Sequence, residues 1–177
     1  LDDNIKVTPS GTSGNITLTA NSSIFKSGQV GSVWRIDQNM SGGTVVYKTT
    51  TAGTSSTITC GADTTWRLIT YGADWNGRLI VERSYDNGTT WLQLRAFSHK
   101  RNEQNHNVYV TEPEQCLLRI HVTELIPETE GAVAKEVEAH LSVDPYVNTG
   151  FVTITGYTSG TSVTATVDSE KPIGNTN

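Results

Sequence analysis

The feature that most constrains the fold is an octapeptide at residues 84–91, which reads SYDNGTTW. It fills every fixed position of the pattern S-x-D-x-G-x-T-W. Those positions are Ser84, Asp86, Gly88, Thr90 and Trp91. Gly88 can adopt a positive φ in a tight turn, the Asp86 carboxylate can accept hydrogen bonds from turn amides, and the Trp91 ring can cover the hairpin. The octapeptide therefore predicts a β-hairpin, and its residues stabilise a turn rather than carry chemistry.

This pattern is the Asp-box, a hairpin motif found in sialidases and in other carbohydrate-active β proteins. Sialidases are six-bladed propellers with several Asp-boxes, an arginine triad and a tyrosine nucleophile. This chain has one such octapeptide, and 177 residues are too few for six blades. We therefore exclude a sialidase from the candidate functions.

Composition narrows the class of protein further. The formal charge is −5 and the sequence contains no basic run, which disfavours nucleic-acid binding. No apolar stretch is as long as a membrane span. Thr, Ser, Gly and Val are abundant, a balance that favours strands and turns. The chain starts at Leu1 rather than Met, so we expect a mature product or a piece of a longer protein.

Alternating apolar and polar residues recur along the whole chain and predict an all-β fold. Composition separates two zones. Residues 15–56 and 136–167 are small and poor in charge, and we expect them to form a discontinuous outer β-barrel or sandwich. Residues 57–125 hold most of the tryptophans, and we expect an inserted β-sandwich that carries the Asp-box hairpin. Residues 1–14 and 168–177 are expected to be flexible or linker ends. One large sandwich is the alternative.

Two cysteines, Cys60 and Cys116, lie in strand-like contexts. The first interpretation is a pair of buried free thiols, because cysteine is among the most frequently buried residue types. The alternative is one disulfide across a sandwich, which the spacing does not require.

Three ordered phrases carry a family resemblance. Residues 16–36 read ITLTANSSIFKSGQVGSVWRI, residues 75–91 read WNGRLIVERSYDNGTTW, and residues 150–167 read GFVTITGYTSGTSVTATV. The first resembles the phrase that opens a small β-barrel in virion proteins of tailed bacteriophages, and the last resembles the phrase that closes it. The middle phrase resembles a sandwich that such proteins often carry between the two. The resemblance, taken from the first phrase to the last, covers about three quarters of the chain.

The resemblance implies a structural, assembly or host-contact module of a phage tail, of the nozzle, tail-hub or adhesin type. It implies a place in the virion after synthesis in the host cytoplasm. The partners it implies are other virion subunits, including further copies of this chain in a homo-oligomer, and a host-surface glycan. The phrases contain no catalytic residue of the family, so no enzyme activity and no cofactor are expected.

Catalysis by carboxylates is the remote alternative, because a glycoside hydrolase needs two facing acids. The available residues are Glu82, Glu112, Glu114 and Glu124, which are more simply solvated side chains of strands and loops. His99 and His106 share a polar segment, but none of the histidines has the spacing of zinc ligands. No metal site is therefore predicted.

Carbohydrate binding without catalysis is the second candidate function. Aromatic faces that could stack on sugar rings are offered by Trp66, Trp75, Trp91, Tyr71 and Tyr85. Trp66 and Trp91 occupy expected core positions. Trp75 and Tyr85 lie in or beside predicted turns, so we expect these two, with Asn87 at the hairpin tip, to contact a ligand or partner.

Overall fold

The fold is described by a computed structural model for residues 4–72, 74–100, 103 and 105–169. Regular structure in this part of the chain is strand, apart from one 3-10 turn at Ser27–Gln29, and this confirms the all-β class. The strands are β1 Val7–Pro9, β2 Asn15–Ala20, β3 Val33–Met40, β4 Gly43–Thr49, β5 Gly53–Thr54, β6 Ile58–Cys60, β7 Thr64–Tyr71, β8 Gly77–Ser84, β9 Leu92–His99, β10 Asn107–Glu112, β11 Cys116–Leu125, β12 Val137–Val143, β13 Tyr146–Ser159 and β14 Ser162–Val167.

The first compact unit comprises Leu1–Asn39 and Val147–Asn177. Its sheet has the strand order β1-β2-β14-β13-β3. Alternate residues of β2 face a small core, because the side-chain period of a strand is two. The buried residues of this core include Ile16, Leu18, Ile154, Val163 and Ala165.

The second compact unit, Met40–Tyr146, is a β-sandwich. One sheet has the order β10-β7-β12-β4, and the other has the order β5-β11-β8-β9, with β6 also paired to β11. Apolar residues from both sheets form a single core. Its largest buried side chains include Trp66, Leu68 and Leu141 from the first sheet and Leu79, Leu118 and Ile120 from the second.

The boundaries of the units differ from those expected from composition. The breaks fall at 39/40 and 146/147, not at 56/57 and near 125–136. The reason is the pairing of β12, which runs antiparallel to β7 from Glu138↔Tyr71 to Val143↔Trp66 and also to β4. The charge-poor strands β4 and β12 therefore belong to the inserted sandwich, although their composition matches that of the outer unit.

The expected linker at residues 1–14 is also partly structured. Residues 7–9 pair with β2 in the register Val7↔Ala20, Thr8↔Thr19 and Pro9↔Leu18. Proline is compatible with this edge position because an edge strand leaves one row of amides unpaired. At the other end, Asp168 donates its amide to the Phe151 carbonyl, and residues 170–177 of the expected tail lie outside the described residues.

Cys60 and Cys116 are buried and free. They do not face each other across the sandwich, as the disulfide alternative required. They are register partners on the adjacent strands β6 and β11 of one sheet.

Candidate functional site

The Asp-box forms the predicted hairpin turn between β8 and β9. The two central turn residues, Asn87 and Gly88, have positive φ values of 55° and 88°. Asp86 accepts hydrogen bonds from the Thr90 amide at 2.8 Å and from the Thr90 hydroxyl at 2.6 Å. This confirms that the carboxylate accepts from a turn amide.

The remaining fixed residues of the motif complete the same network. The Ser84 hydroxyl donates to Asp86 at 2.7 Å and accepts the Gly88 amide at 2.8 Å. The Trp91 indole nitrogen donates to the Gly88 carbonyl at 3.0 Å. Each fixed side chain thus satisfies a polar group of the turn, and this explains why the motif needs all of them.

The hydrogen bonds to Asp86 change its acidity. Donation from the Thr90 hydroxyl and amide and from Ser84 lowers the pKa of Asp86 to about 2. Hydrogen bonds to the ionised form favour that form. Asp86 is therefore a charged structural acceptor, not an acid that could donate a proton near neutral pH.

The ring of Trp91, the residue immediately before β9, contacts a side chain from β11, on the other side of β8. The Arg119 guanidinium on β11 lies 3.9 Å from the centre of the Trp91 ring, and its Nε donates to the Glu82 carboxylate at 2.7 Å. Cation–π contact and the ion pair fix the arginine over the ring. One face of Trp91 is thus covered by protein, which removes that face from contact with a sugar.

Glu82 is the centre of this small cluster. Its second oxygen lies 3.0 Å from Nδ1 of His121, and Arg119 is its register partner on β11. Burial raises the pKa of Glu82, but the hydrogen bonds with His121 and Arg119 outweigh burial and leave the pKa below its ordinary value. The carboxylate is consequently ionised and engaged with two partners.

The tip of the hairpin exposes two of the expected contact residues. Tyr85 is 44% exposed, and the Arg83 guanidinium lies 5.1 Å from the centre of its ring. Asn87 is exposed as well. The structure therefore places Tyr85 and Asn87 together at an accessible surface.

Trp75, the third expected contact residue, is not at a surface. Its side chain is 0% exposed and stacks on the His99 ring, with centroids 4.3 Å apart and ring planes 12° apart. The expectation of a ligand contact there was wrong, because the turn before β8 folds this residue into the core of the sandwich. Trp66 is buried as expected. Tyr71 lies on the same strand, β7, in the sheet that does not contain β8 and β9.

The two histidines of the polar segment do come together. The rings of His99 and His106 meet edge to face, with centroids 5.9 Å apart, and His106 also packs on Phe97 at 5.1 Å. Their neighbours are aromatic rings. Within the described residues there is no group of three or more His, Cys, Asp or Glu side chains that could hold a metal ion.

Glu112 and Glu82, two of the acids considered for hydrolysis, have different surroundings. Glu112 lies between the sheets, where it accepts hydrogen bonds from the Trp66 indole at 3.0 Å and from Arg83 at 2.9 Å. Glu82 alternates with the core residue Val81 and lies on the outer face of the sheet with Arg119. The sequence did not reveal the Arg83–Glu112–Trp66 cluster. Trp66 and Glu112, 46 positions apart, become neighbours through strand pairing, and Arg83 and Glu112, 29 positions apart, become neighbours through the packing of the two sheets.

No family model matches this chain, and no curated protein matches it. Among the described residues no helix has the length and apolar character needed to cross a membrane.

Proposed function

We propose that this chain is a non-catalytic structural module of a phage virion tail, which contributes to assembly or host contact. The observation that supports the proposal most is the arrangement of the three sequence phrases. The opening and closing phrases supply β2, β3, β13 and β14, which share one sheet with the order β2-β14-β13-β3. The Asp-box phrase lies in the unit inserted between them, Met40–Tyr146. The resemblance implied this order of opening strands, insertion and closing strands.

The side-chain arrangement is consistent with a structural role. Asp86, Glu82 and Glu112 each bind donors of this chain. Carboxylates engaged in this way stabilise strand pairing and turns. Turnover of a glycoside that is abolished by Glu82→Gln would contradict the non-catalytic part of the proposal.

Immunoelectron microscopy of purified particles from the source tests the location. An antibody raised against the sandwich unit is expected to label the tail in an ordered pattern, since tail parts of the resembled type form homo-oligomers. Particles that carry no label, while the disrupted cell lysate does, would rule out the virion assignment.

Carbohydrate binding by the hairpin tip is the second candidate, and the accessibility of Tyr85 favours it. An aromatic ring supported by Arg83 on one side, with the Asn87 amide beside it, offers a stacking face and hydrogen-bonding groups for a host-surface glycan. A glycan array compares the wild type with Tyr85→Ala and Asn87→Ala.

The chain offers a matched control for this array. Tyr109 is also exposed and also has an arginine, Arg67, at 4.9 Å from its ring, but it lies on the other sheet. Binding that is lost with Tyr85→Ala and kept with Tyr109→Ala supports the tip as the site. Equal loss in both variants, or no binding by the wild type, counts against it.

A further inference from the structure

Cys60 and Cys116 are the two cysteines of the chain, and strand pairing sets them directly opposite each other. Opposed residues of antiparallel strands have Cα atoms about 4.5–5.5 Å apart. A disulfide joins Cα atoms about 4.4–6.8 Å apart. The backbone of β6 and β11 therefore already has a spacing that a disulfide can bridge.

The two thiols point into the same buried space. Both side chains are buried, and as register partners on adjacent antiparallel strands they project to the same face of the sheet. The Cys60 sulfur also donates to the Thr64 carbonyl at 3.6 Å. The sulfur atoms thus approach each other without a change of strand register.

The pKa values of the two thiols shift in opposite directions. The hydrogen bond with Cys60 lowers the pKa of Cys116, as does the Arg83 guanidinium, while burial and Glu112 act in the opposite direction. The hydrogen bond with Cys116 raises the pKa of Cys60, and burial, Glu112 and Asp144 add to this increase. A lowered pKa favours the thiolate of Cys116, and the thiolate is the nucleophile in disulfide exchange.

We propose that Cys60 and Cys116 are a reversible disulfide-forming pair that a small disulfide oxidant, such as glutathione disulfide, converts to a cross-link. This inference is independent of the virion assignment. It concerns a covalent modification of the inserted sandwich alone.

The exchange proceeds in two displacements. The Cys116 thiolate attacks one sulfur of glutathione disulfide, which forms a mixed disulfide and expels one glutathione thiolate. The Cys60 thiol passes its proton to that thiolate and attacks the Cys116 sulfur, which expels the second glutathione. The protein loses two electrons and two protons, and glutathione disulfide becomes two glutathione molecules. Transient opening of β6, a three-residue strand, gives the oxidant access.

The cross-link would close a loop that runs from residue 60 to residue 116 and so encloses most of the inserted sandwich. Closing a long loop restricts the unfolded chain and stabilises the folded one. The two equilibria are linked: the factor by which the disulfide raises the folding equilibrium constant is also the factor by which folding raises the equilibrium constant for disulfide formation. The native chain should consequently oxidise at a lower ratio of oxidised to reduced glutathione than the denatured chain does.

The test equilibrates the wild-type chain in a series of glutathione redox buffers, both native and in denaturant. Remaining thiols are blocked, and the products are resolved by mass spectrometry and by non-reducing electrophoresis. We expect a single chain that has lost both thiols and is not linked to another chain. The native chain should be half oxidised at a ratio of oxidised to reduced glutathione that is about tenfold lower, or lower still, than the ratio that half oxidises the denatured chain.

Two further measurements use the same samples. The oxidised monomer should melt roughly 5–15 °C above the reduced one and return to the reduced value with dithiothreitol. In Cys60→Ser the mixed disulfide on Cys116 should persist, because its resolving thiol is gone. Oxidation of the native chain only to intermolecular dimers or glutathione adducts, or at the same ratio as the denatured chain, would overturn the proposal.

Discussion

The Asp86 carboxylate accepts two hydrogen bonds from Thr90, one from the backbone amide at 2.8 Å and one from the hydroxyl at 2.6 Å. The residue pair closes the turn across four positions, and both oxygens of the carboxylate accept hydrogen bonds within the turn. The Asp-box of this chain is therefore a stabilising element that fixes the register of β8 and β9, and the exposed tip beside it is the accessible surface.

Asp86→Ala should lower the melting temperature of the chain by about 5 °C, because the Thr90 amide and hydroxyl and the Ser84 hydroxyl lose their common acceptor. Differential scanning calorimetry measures the change. Glu114→Ala removes an exposed carboxylate outside the turn and is the control for the change in net charge. Equal melting temperatures for Asp86→Ala and the control would show that Asp86 does not stabilise the turn.

Acid should remove the stabilisation by Asp86 in a defined pH range. The folded-state pKa of about 2 lies below the ordinary value of 3.8, so the contribution is complete above about pH 4 and is lost as the pH falls through 2. The melting temperatures of wild type and Asp86→Asn, measured from pH 6 to pH 1.5, should differ by a constant amount above pH 4 and converge near pH 2. A difference that persists unchanged at pH 1.5 would contradict this assignment.

The Arg83–Glu112 ion pair links the two sheets of the sandwich, because Arg83 lies on β8 and Glu112 on β10. In Arg83→Ala the Glu112 carboxylate stays buried and keeps the hydrogen bond from the Trp66 indole, but it loses its ion-pair partner. This loss should lower the free energy of unfolding by about 3 kcal/mol. Urea denaturation of Arg83→Ala, Glu112→Ala and the double variant measures the coupling. Single-variant losses that simply add in the double variant would contradict an energetic link between the residues.

Gly61 is required by close packing rather than by its backbone conformation. A Cβ atom at this position would lie 2.5 Å from Cε2 of the Tyr146 ring and still closer to Cδ2. Gly61→Ala should therefore lower the free energy of unfolding by about 1–3 kcal/mol, and Tyr146→Ala in the same chain should relieve the clash. Gly28→Ala is the control, since nothing lies within 4 Å of its added Cβ. Equal stability of Gly61→Ala and Gly28→Ala would exclude the predicted clash.

Local sequence patterns predicted the parts of the fold that depend on neighbouring residues. The Asp-box hairpin is one example, because its hydrogen bonds connect residues at most four positions apart. The alternation of apolar and polar residues along the chain is another: in β11, Leu118 and Ile120 face the core, and Arg119 and His121 lie on the other face.

Parts that depend on strand pairing were not predictable in the same way. Composition assigned β12 to the outer unit, whereas its register with β7 places it in the sandwich. Trp75 follows a turn, and only the packing of His99 on β9 against it shows that the turn leads into the core. Likewise, the contact of Glu82 with Arg119 depends on the β8–β11 register.

Quantitative mass spectrometry of purified particles from the source tests whether this chain is a structural part of a virion tail. Trypsin releases residues 84–95, SYDNGTTWLQLR, which contain the whole Asp-box. We expect this peptide in the particles at a fixed whole number of copies relative to the other tail subunits. Its absence from the particles, with the peptide present in the soluble fraction of the same lysate, would contradict the claim.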